Sequence, residues 1–557
     1  MPRFTNAVSA PAAQVKAMVD LLPTGLHLSW RFSVFLTVLV PVVDAVLAYW
    51  LYAIIMLLQS GSFHFLHFHL GSQDIPLSMG IMVLLTVLRQ VLELFLLNYS
   101  RQLSQKFFVF SSTSLVNKYL LEPWVVFTDD NRSHKIKHCT TTALDAAFSY
   151  NVILNLLGSL FTIAFLGLVI FIQSPVLAFS LLVLNLLMLA FSRRFLSPRV
   201  AEAARNHDQE QKEVYQKLQE FFDLKREITM YGVHQNFSEV LDKKIRSLSK
   251  IKTDLSILPQ VPRVIIEILV AVAFATTVLI VSGGEAGSNQ ELIASMAAVL
   301  ILARRILPAL AQFLTSYSEL PGAVANFEII RSELKTPVHP GNEPAVMETD
   351  GDLLIMLDNI SFAYPSSAAL LRGVNLDVRQ GDRLAIFGRT GKGKSTLMQI
   401  ASGIIQPGSG QVLLAGRLKQ EKARMTYVAQ DVKLIAGTVF ENVVFGHPKP
   451  DEGKVWRVLR AACLDQHIQQ MPGSLFAQIG DNGVKFSGGQ RQRLGIARAL
   501  YFDPEVLFLD EATSAVDEAT EMAIMKNIDE VMGSGAVVFI THRKSNADNF
   551  ANRFIYL

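Results

Sequence analysis

Apolar residues in this chain fall into two regimes. Before residue 320 they gather in six long runs, at about 32–59, 75–100, 147–172, 174–193, 261–282 and 291–316. Each reaches the roughly 20 residues a helix needs to cross the hydrocarbon core of a bilayer. The third and fourth meet at Gln173-Ser174-Pro175, which predicts a tight helical hairpin. Two long polar gaps of helical pattern, 101–146 and 194–260, separate the runs, together with two short ones, 60–74 and 283–290. After residue 352 the apolar runs shorten to strand length: Leu353–Leu357, Arg383–Phe387, Gln411–Leu414, Met425–Val428, Val506–Leu509 and Ala536–Ile540. They alternate with helical stretches, as in an α/β domain. Between the regimes, Pro337, Pro340-Gly341, Pro344 and Asp350-Gly351-Asp352 mark a linker. The pattern predicts an N-terminal cytoplasmic segment over 1–30, an all-α six-helix transmembrane domain over 31–331, a linker over 332–352 and an α/β domain over 353–557.

Charge adds orientation. The first long gap carries Arg101, Lys106, Lys118, Arg132, Lys135 and Lys137, and the second carries a still larger set that includes Arg199, Arg205, Lys225, Arg226 and Lys243. The short gaps hold no Lys or Arg. Basic residues stay on the cytoplasmic side of a membrane, so the long gaps, both chain ends and the α/β domain are expected there. Half of the 557 residues are hydrophobic and 18% are charged. The formal charge of +3 is too small to argue for a nucleic-acid partner, and none is expected. Cys139 and Cys463 are the only cysteines, too far apart in sequence to imply a disulfide framework. Residues 1–30 show no cleavable signal pattern.

Chemistry first becomes legible after the strand Arg383–Phe387. Gly388-Arg389-Thr390-Gly391-Lys392-Gly393-Lys394-Ser395-Thr396 fits the phosphate-loop spacing between a strand and a helix opening at Lys394. The three glycines let successive N–H groups curl around a polyphosphate. The helix N-terminus adds its positive end. Lys394 is a point charge for the β- and γ-phosphates of ATP, and Ser395 offers a hydroxyl to magnesium. Leu507-Phe508-Leu509 then delivers Asp510 and Glu511 at a strand end. Asp510 is expected to hold magnesium through water, and Glu511 to polarise the attacking water.

The stretch Phe486-Ser487-Gly488-Gly489-Gln490-Arg491-Gln492-Arg493 resembles the signature loop of the ATP-binding cassette (ABC) family, which usually has Leu where Phe486 stands. Further elements match in order over 353–557. The resemblance implies that Tyr364 stacks on adenine, that Gln430 senses magnesium and couples to the membrane domain, that Asp517 in Ser514-Ala515-Val516-Asp517 belongs to a loop crossing a dimer interface, and that His542 contacts the γ-phosphate. Chains of this family usually run on past the strand expected at 554–557, which leaves the packing beyond it open. The whole chain resembles an ABC exporter: a type IV six-helix membrane domain followed by an α/β P-loop ATP-binding cassette domain. The resemblance implies coupling helices near Val126–Arg132 and Phe222–Arg226, and a head-to-tail homodimer in which one chain's phosphate loop closes over the other's signature loop.

Arg89, Arg263 and Arg305 lie in or beside three apolar runs. A midplane arginine costs about 2.5–3.5 kcal/mol on insertion scales. Two readings stay open: pairing with Glu93 and Glu267, each four residues on, or a basic cavity for an anionic head group. Leu224–Ile228, Leu258–Arg263 and Arg305–Pro308 resemble segments of bacterial lipid-linked oligosaccharide flippases within the ABC exporters. That resemblance implies arginines against a lipid pyrophosphate, and a short external helix for which Phe63–Leu70 is the candidate. The expected function is therefore ATP-driven export or flipping of an amphipathic anion, most simply a lipid-linked oligosaccharide, in a bacterial inner membrane. The alternatives are a peptide or small-molecule exporter and an ATP-gated regulator or channel subunit. His64, His67 and His69 fit an interfacial segment better than a metal site, and His134, His138 and Cys139 fit a solvated helix.

Overall fold

The computed structural model describes the chain from residue 20 onward, except residue 21, most of 174–189 and 262–288, and the short stretches 61, 66–67, 72–73, 130–131, 338–344, 348–350, 365–367, 421–423, 481–485 and 544–547. Side chains are also left undescribed at 55–73 apart from residue 57, at 289–305, and at 128–129, 132–133, 192–193, 197, 201, 204, 208, 259 and 419–420. Two compact units emerge: residues 1–121 with 130–338, and residues 122–129 with 339–557.

The first unit is built from long helices, among them Thr24–Ser60, Ile75–Leu121, Ala143–Gln173, Ser197–Asp223, His234–Ile257 and Asn289–Lys335. Three helical stretches, Thr24–Ile54, Ile75–Leu121 and His134–Ile172, are long and apolar enough to cross a membrane. At 1.5 Å per residue, the 47 residues of Ile75–Leu121 extend about 70 Å, more than twice the hydrocarbon thickness. The same helix that spans can therefore carry a polar extension. Its apolar half leaves Leu84, Val87, Val91 and Leu94 exposed, a surface suited to lipid. The expected runs 174–193 and 261–282 lie mostly outside the described residues; run 291–316 falls within Asn289–Lys335. At the other end, Phe107, Tyr150 and Phe327 are fully buried together, with Phe107 and Tyr150 edge-to-face at 5.0 Å.

Several sequence expectations change here. The candidate external helix Phe63–Leu70 is an antiparallel pair instead, β1 (Ser62–Phe65) and β2 (Phe68–Gly71), with His64 opposite His69. The residues show why: Phe63-His64-Phe65 alternates with period two, which a strand satisfies and a helix does not. His138 is buried rather than solvated, its Nδ1 3.3 Å from the Tyr119 hydroxyl. Of the stretch Val126–Arg132, expected to hold a coupling helix, residues 126–129 lie in the helix Trp124–Asp129, and 130–131 lie outside the described residues. The second, Phe222–Arg226, straddles the break between helices Ser197–Asp223 and Lys225–Tyr231. The stretch read as a linker begins inside the helix Asn289–Lys335 and contains a strand, β3 (Ala345–Met347).

In the second unit β3 joins β4 (Leu353–Phe362), β5 (Leu371–Arg379) and β7 (Ser409–Ala415) in a four-stranded sheet, order β3-β7-β4-β5. Strands β6 (Arg383–Phe387), β8 (Met425–Val428), β9 (Val506–Asp510), β10 (Ala536–Ile540) and β11 (Arg553–Tyr556) form a parallel sheet, order β11-β6-β10-β9-β8. Alternate residues of the parallel strands serve two cores. Leu507, Leu509, Val537 and Phe539 face one; Val506, Phe508, Val538 and Ile540 face the other. Burial on both faces explains why these strands are continuous apolar runs. Val125, from the short helix Trp124–Asp129 that belongs to this unit, packs on the second core.

Candidate functional site

Sheet register assembles the nucleotide site. Ile386 of β6 pairs with Ile540 of β10, Ile540 with Asp510 of β9, and Leu509 with Val428 of β8. Four neighbouring parallel strands thus end at one level, and their following loops carry Gly388–Ser395, His542, Asp510-Glu511 and Gln430. The carboxyl edge of a parallel sheet is where open α/β folds bind ligands.

The phosphate loop leads into the helix Lys394–Ala401, and Gly391 and Gly393 hold φ of 81° and 90°, which a side chain would strain. Lys394 is 7% exposed, its Nζ donating to the carbonyls of Gly388 (2.9 Å) and Arg389 (3.3 Å). Lys392 N–H closes the turn on the Arg389 carbonyl. Ser395 Oγ donates to Asp510 Oδ1 at 2.9 Å, and Tyr427 OH donates to Oδ2 at 2.7 Å. Burial pushes the Asp510 carboxyl up from its ordinary value, while those two hydrogen bonds pull it back. Burial, then the Asp510 charge, raises the Tyr427 phenol, which stays a donor. A hydroxyl beside a carboxylate is an all-oxygen donor pair, and it fits magnesium. Tyr364, the expected adenine contact, has its hydroxyl 3.2 Å from Thr396 Oγ1 and its ring edge-to-face with Phe362.

Glu511 sits one residue beyond the strand at φ 49°, a left-handed conformation uncommon for a side-chain-bearing residue. Its Oε2 accepts from Gln430 Nε2 at 2.7 Å and its Oε1 is 2.8 Å from His542 Nε2. A carboxylate only accepts, so His542 donates through Nε2. The three residues expected to act in hydrolysis are thus joined through the Glu511 carboxylate.

Ser487 caps the signature helix Gly488–Tyr501 in a reciprocal pair with Gln490, and Phe486 is buried in the core, which accounts for an apolar residue of either shape there. Gly489 is demanded by packing: a Cβ would lie 2.6 Å from the Ala515 carbonyl. Asp517 caps the following helix through Thr520 N–H, which holds its carboxyl below the usual value. Among the described residues no hydrogen bond joins Ser487–Gln490 to the phosphate loop. The signature helix meets this site instead through Gln492.

Sequence reading passed over several residues here. Gln492, Ile496 and Leu500 are four apart and buried, so a polar side chain on the core face of a helix was the available signal. Glu521 gave the same signal ahead of Ile524, Met525 and Ile528. It is 3% exposed, bonded to Thr513 (2.7 Å) and Arg543 (2.5 Å), and Arg543 also donates to the Val516 carbonyl. Tyr427 gave no signal beyond its strand.

In the helical unit, a cavity of about 480 Å³ is lined by Asp44, Arg89, Glu93, Asn151, Asn155 and Gln312, among others. Arg89 Nε is 3.1 Å from Asp44 Oδ1, its Nη2 is 3.4 Å from Oδ2, and Nη1 also meets Glu93. Arg89 lines the cavity and is paired there with Asp44 as well as with the expected Glu93. The Asp44 partner went unread, although an acid inside an apolar run is itself a signal. Two carboxylates against one guanidinium make the described lining acidic rather than basic. Arg263 and the side chain of Arg305 lie outside the described residues.

Comparison with known proteins agrees with this geometry. Residues 371–514 match the ABC transporter family. The chain is similar to the ATP-dependent lipid A-core flippase of Cupriavidus metallidurans, 39% identical over 241 residues, covering 41% of this chain and 40% of that protein. It is also similar to the multidrug resistance ABC transporter ATP-binding and permease protein of Lactococcus lactis subsp. lactis, 31% identical over 245 residues, covering 43% and 41%. Each match spans about two fifths of the relative's length. A solved bacterial Atm1-family ABC exporter with ATP bound superposes with a TM-score of 0.78 at 17% identity, over 96% of this chain and 94% of that one. The second unit thus contains an ABC transporter domain over residues 371–514, and the chain as a whole shares the fold of that exporter.

Proposed function

We propose that the protein hydrolyses ATP to drive export or flipping of an amphipathic lipid-type substrate across a bacterial inner membrane. The observation that carries the ATPase reading is the convergence of Lys394, Ser395, Asp510, Glu511, Gln430 and His542 at one sheet edge. Lys394 and the loop N–H groups hold the β- and γ-phosphates, and Tyr364 takes the adenine. Ser395, Asp510 and the Gln430 amide oxygen would hold magnesium, which supplies charge neutralisation at the β- and γ-oxygens. Glu511, oriented by Gln430 and His542, takes a proton from the water that adds to the γ-phosphorus as ADP leaves. His542 and Lys394 stabilise the charge on the transferred group. Ser487, Gly488, Gly489 and Gln490 act on the nucleotide of a second copy, in a head-to-tail homodimer, with Asp517 at the crossing.

For the substrate, the relatives' names support a lipid, and the cavity supports a polar head among carboxamides and charges. A lipid-linked pyrophosphate oligosaccharide, bound by Arg89, Arg263 and Arg305, remains the leading form. An anion must then compete with Asp44 and Glu93 for Arg89. A peptide or small-molecule exporter is the second reading, favoured by the acidic described lining and the multidrug relative. The test is flipping in reconstituted vesicles of a lipid pyrophosphate-sugar against a neutral analogue. The proposal expects each of Arg89→Ala, Arg263→Ala and Arg305→Ala to impair flipping of the anion, and Glu replacements to be worse. Wild-type flipping by all three Ala variants would remove the glycan and promote the second reading.

A further inference from the structure

Gln492 is an amide on the buried face of the signature helix, 6% exposed, with its polar contacts aimed at two stretches outside that helix, 511–515 and the loop at Gln430. Its Oε1 accepts the Ala515 N–H at 2.9 Å. A backbone N–H can only donate, so this contact fixes which end of the amide is oxygen. The nitrogen therefore faces the other three groups: Ser514 Oγ at 3.0 Å, the Glu511 carbonyl at 3.3 Å and the Gln430 carbonyl at 3.4 Å. Two hydrogens serve three acceptors, the firmer bond going to Ser514 and the weaker pair sharing the second. The carbonyl it holds at residue 511 belongs to the peptide unit that leaves a φ of 49°. Such a conformation costs about 1–3 kcal/mol and persists only where the surroundings over-determine it. Ser514 N–H closes a turn on the same Glu511 carbonyl at 3.1 Å, so this oxygen is gripped from two sides. Gly489 brings the helix against the Ala515 carbonyl, and at Gly495 a Cβ would meet Val432 at 2.8 Å, so the helix is seated too tightly for a bulkier tether to replace the amide.

We infer that Gln492 is a positioning residue for hydrolysis: it locks the backbone of Glu511, the carbonyl of Gln430 and the 514–515 turn to the signature helix, so that the seating of this helix sets the aim of the Glu511 carboxylate. This rests on the ATPase reading above. In the proposed homodimer the same helix begins at Ser487, against the partner's nucleotide. Gln492 then makes base placement at one site depend on nucleotide engagement at the other.

The test compares Gln492→Met, of nearly the same shape, with Gln492→Glu in the full-length, membrane-reconstituted protein. Met removes all four contacts; kcat for ATP should fall about 10- to 100-fold, the loss expected of a misplaced catalytic group, with the KM for ATP within about threefold. Glu keeps the Ala515 contact but turns an oxygen toward two carbonyls. It should be slower than Met near pH 8 and regain activity relative to the wild type toward about pH 6, as the buried acid takes up a proton and becomes a donor again. A role in packing alone would rank Glu no worse than Met and give parallel pH profiles. Should the Met variant not be recovered folded, Ser514→Ala removes the firmest acceptor and should lower kcat about three- to tenfold. Wild-type kcat in Gln492→Met or Ser514→Ala, or a Glu variant that follows the wild-type pH profile, overturns the inference and leaves the ATPase reading intact. A wild type without ATP hydrolysis overturns both.

Discussion

Replacing Glu511 by Gln separates what the carboxylate does for the fold from what it does for the reaction. The side chain is 18% exposed and accepts from Gln430 and His542 at 2.7 and 2.8 Å. Gln has the same shape, so no cavity opens. One acceptor becomes an NH₂ group facing a donor, and Gln430 can answer by turning its amide over. The remaining loss is the difference between a charge-assisted bond, about 1.5–3 kcal/mol, and a neutral one, about 0.5–1.5 kcal/mol. Stability should therefore change by about 1 kcal/mol, and ATP binding, proposed to rest on the phosphate loop and Tyr364, should persist. Hydrolysis loses its proton acceptor. A fall of at least ~100-fold corresponds to about 2.7 kcal/mol at 1.36 kcal/mol per tenfold. The assay is phosphate release by the purified, reconstituted variant, with retained nucleotide measured after gel filtration. The expected result is slow turnover with two nucleotides trapped per closed pair. Turnover within tenfold of the wild type would take the base role from Glu511 and open it to another group at the same sheet edge.

Two further substitutions probe the supports of this site. Gly489→Ala puts a methyl 2.6 Å from the Ala515 carbonyl, so helix or turn must yield at an overpacking cost of about 1–3 kcal/mol; kcat should drop at least about tenfold with ATP affinity retained, and an unaltered kcat would mean that the contact relaxes freely. Arg543→Ala leaves the buried Glu521 with Thr513 as its remaining described partner; breaking a fully buried pair costs about 3–5 kcal/mol, and the 38% exposure of Arg543 reduces this to about 1–3 kcal/mol. Thermal unfolding without nucleotide measures it, and an unchanged midpoint would show that the network is incidental.

The sequence by itself determined the phosphate loop and the elements that flank it. A phosphate loop is a local object: strand, glycines and helix start are contiguous, and the helix opens at Lys394 as its spacing requires. The buried parallel strands were equally legible, because burial on both faces forces unbroken apolar runs. So were three of the long apolar helices, whose length and composition suit a bilayer. What the sequence left open depends on residues far apart in the chain. That Gln430, Glu511 and His542 form one bonded group follows from three strands ending in register, which no local pattern encodes. Gln492 and Glu521 had no role assigned from sequence, because the loops they bond to lie elsewhere in the chain. Phe63–Leu70 read as a helix because a resemblance outweighed its own period-two alternation. Arg89 had a neighbour at Glu93 that helical spacing made visible; Asp44, 45 residues away, became its partner only when two helices packed side by side. Local rules fix the parts because they act within a few residues, and tertiary packing alone decides which charges and amides end up sharing a hydrogen bond.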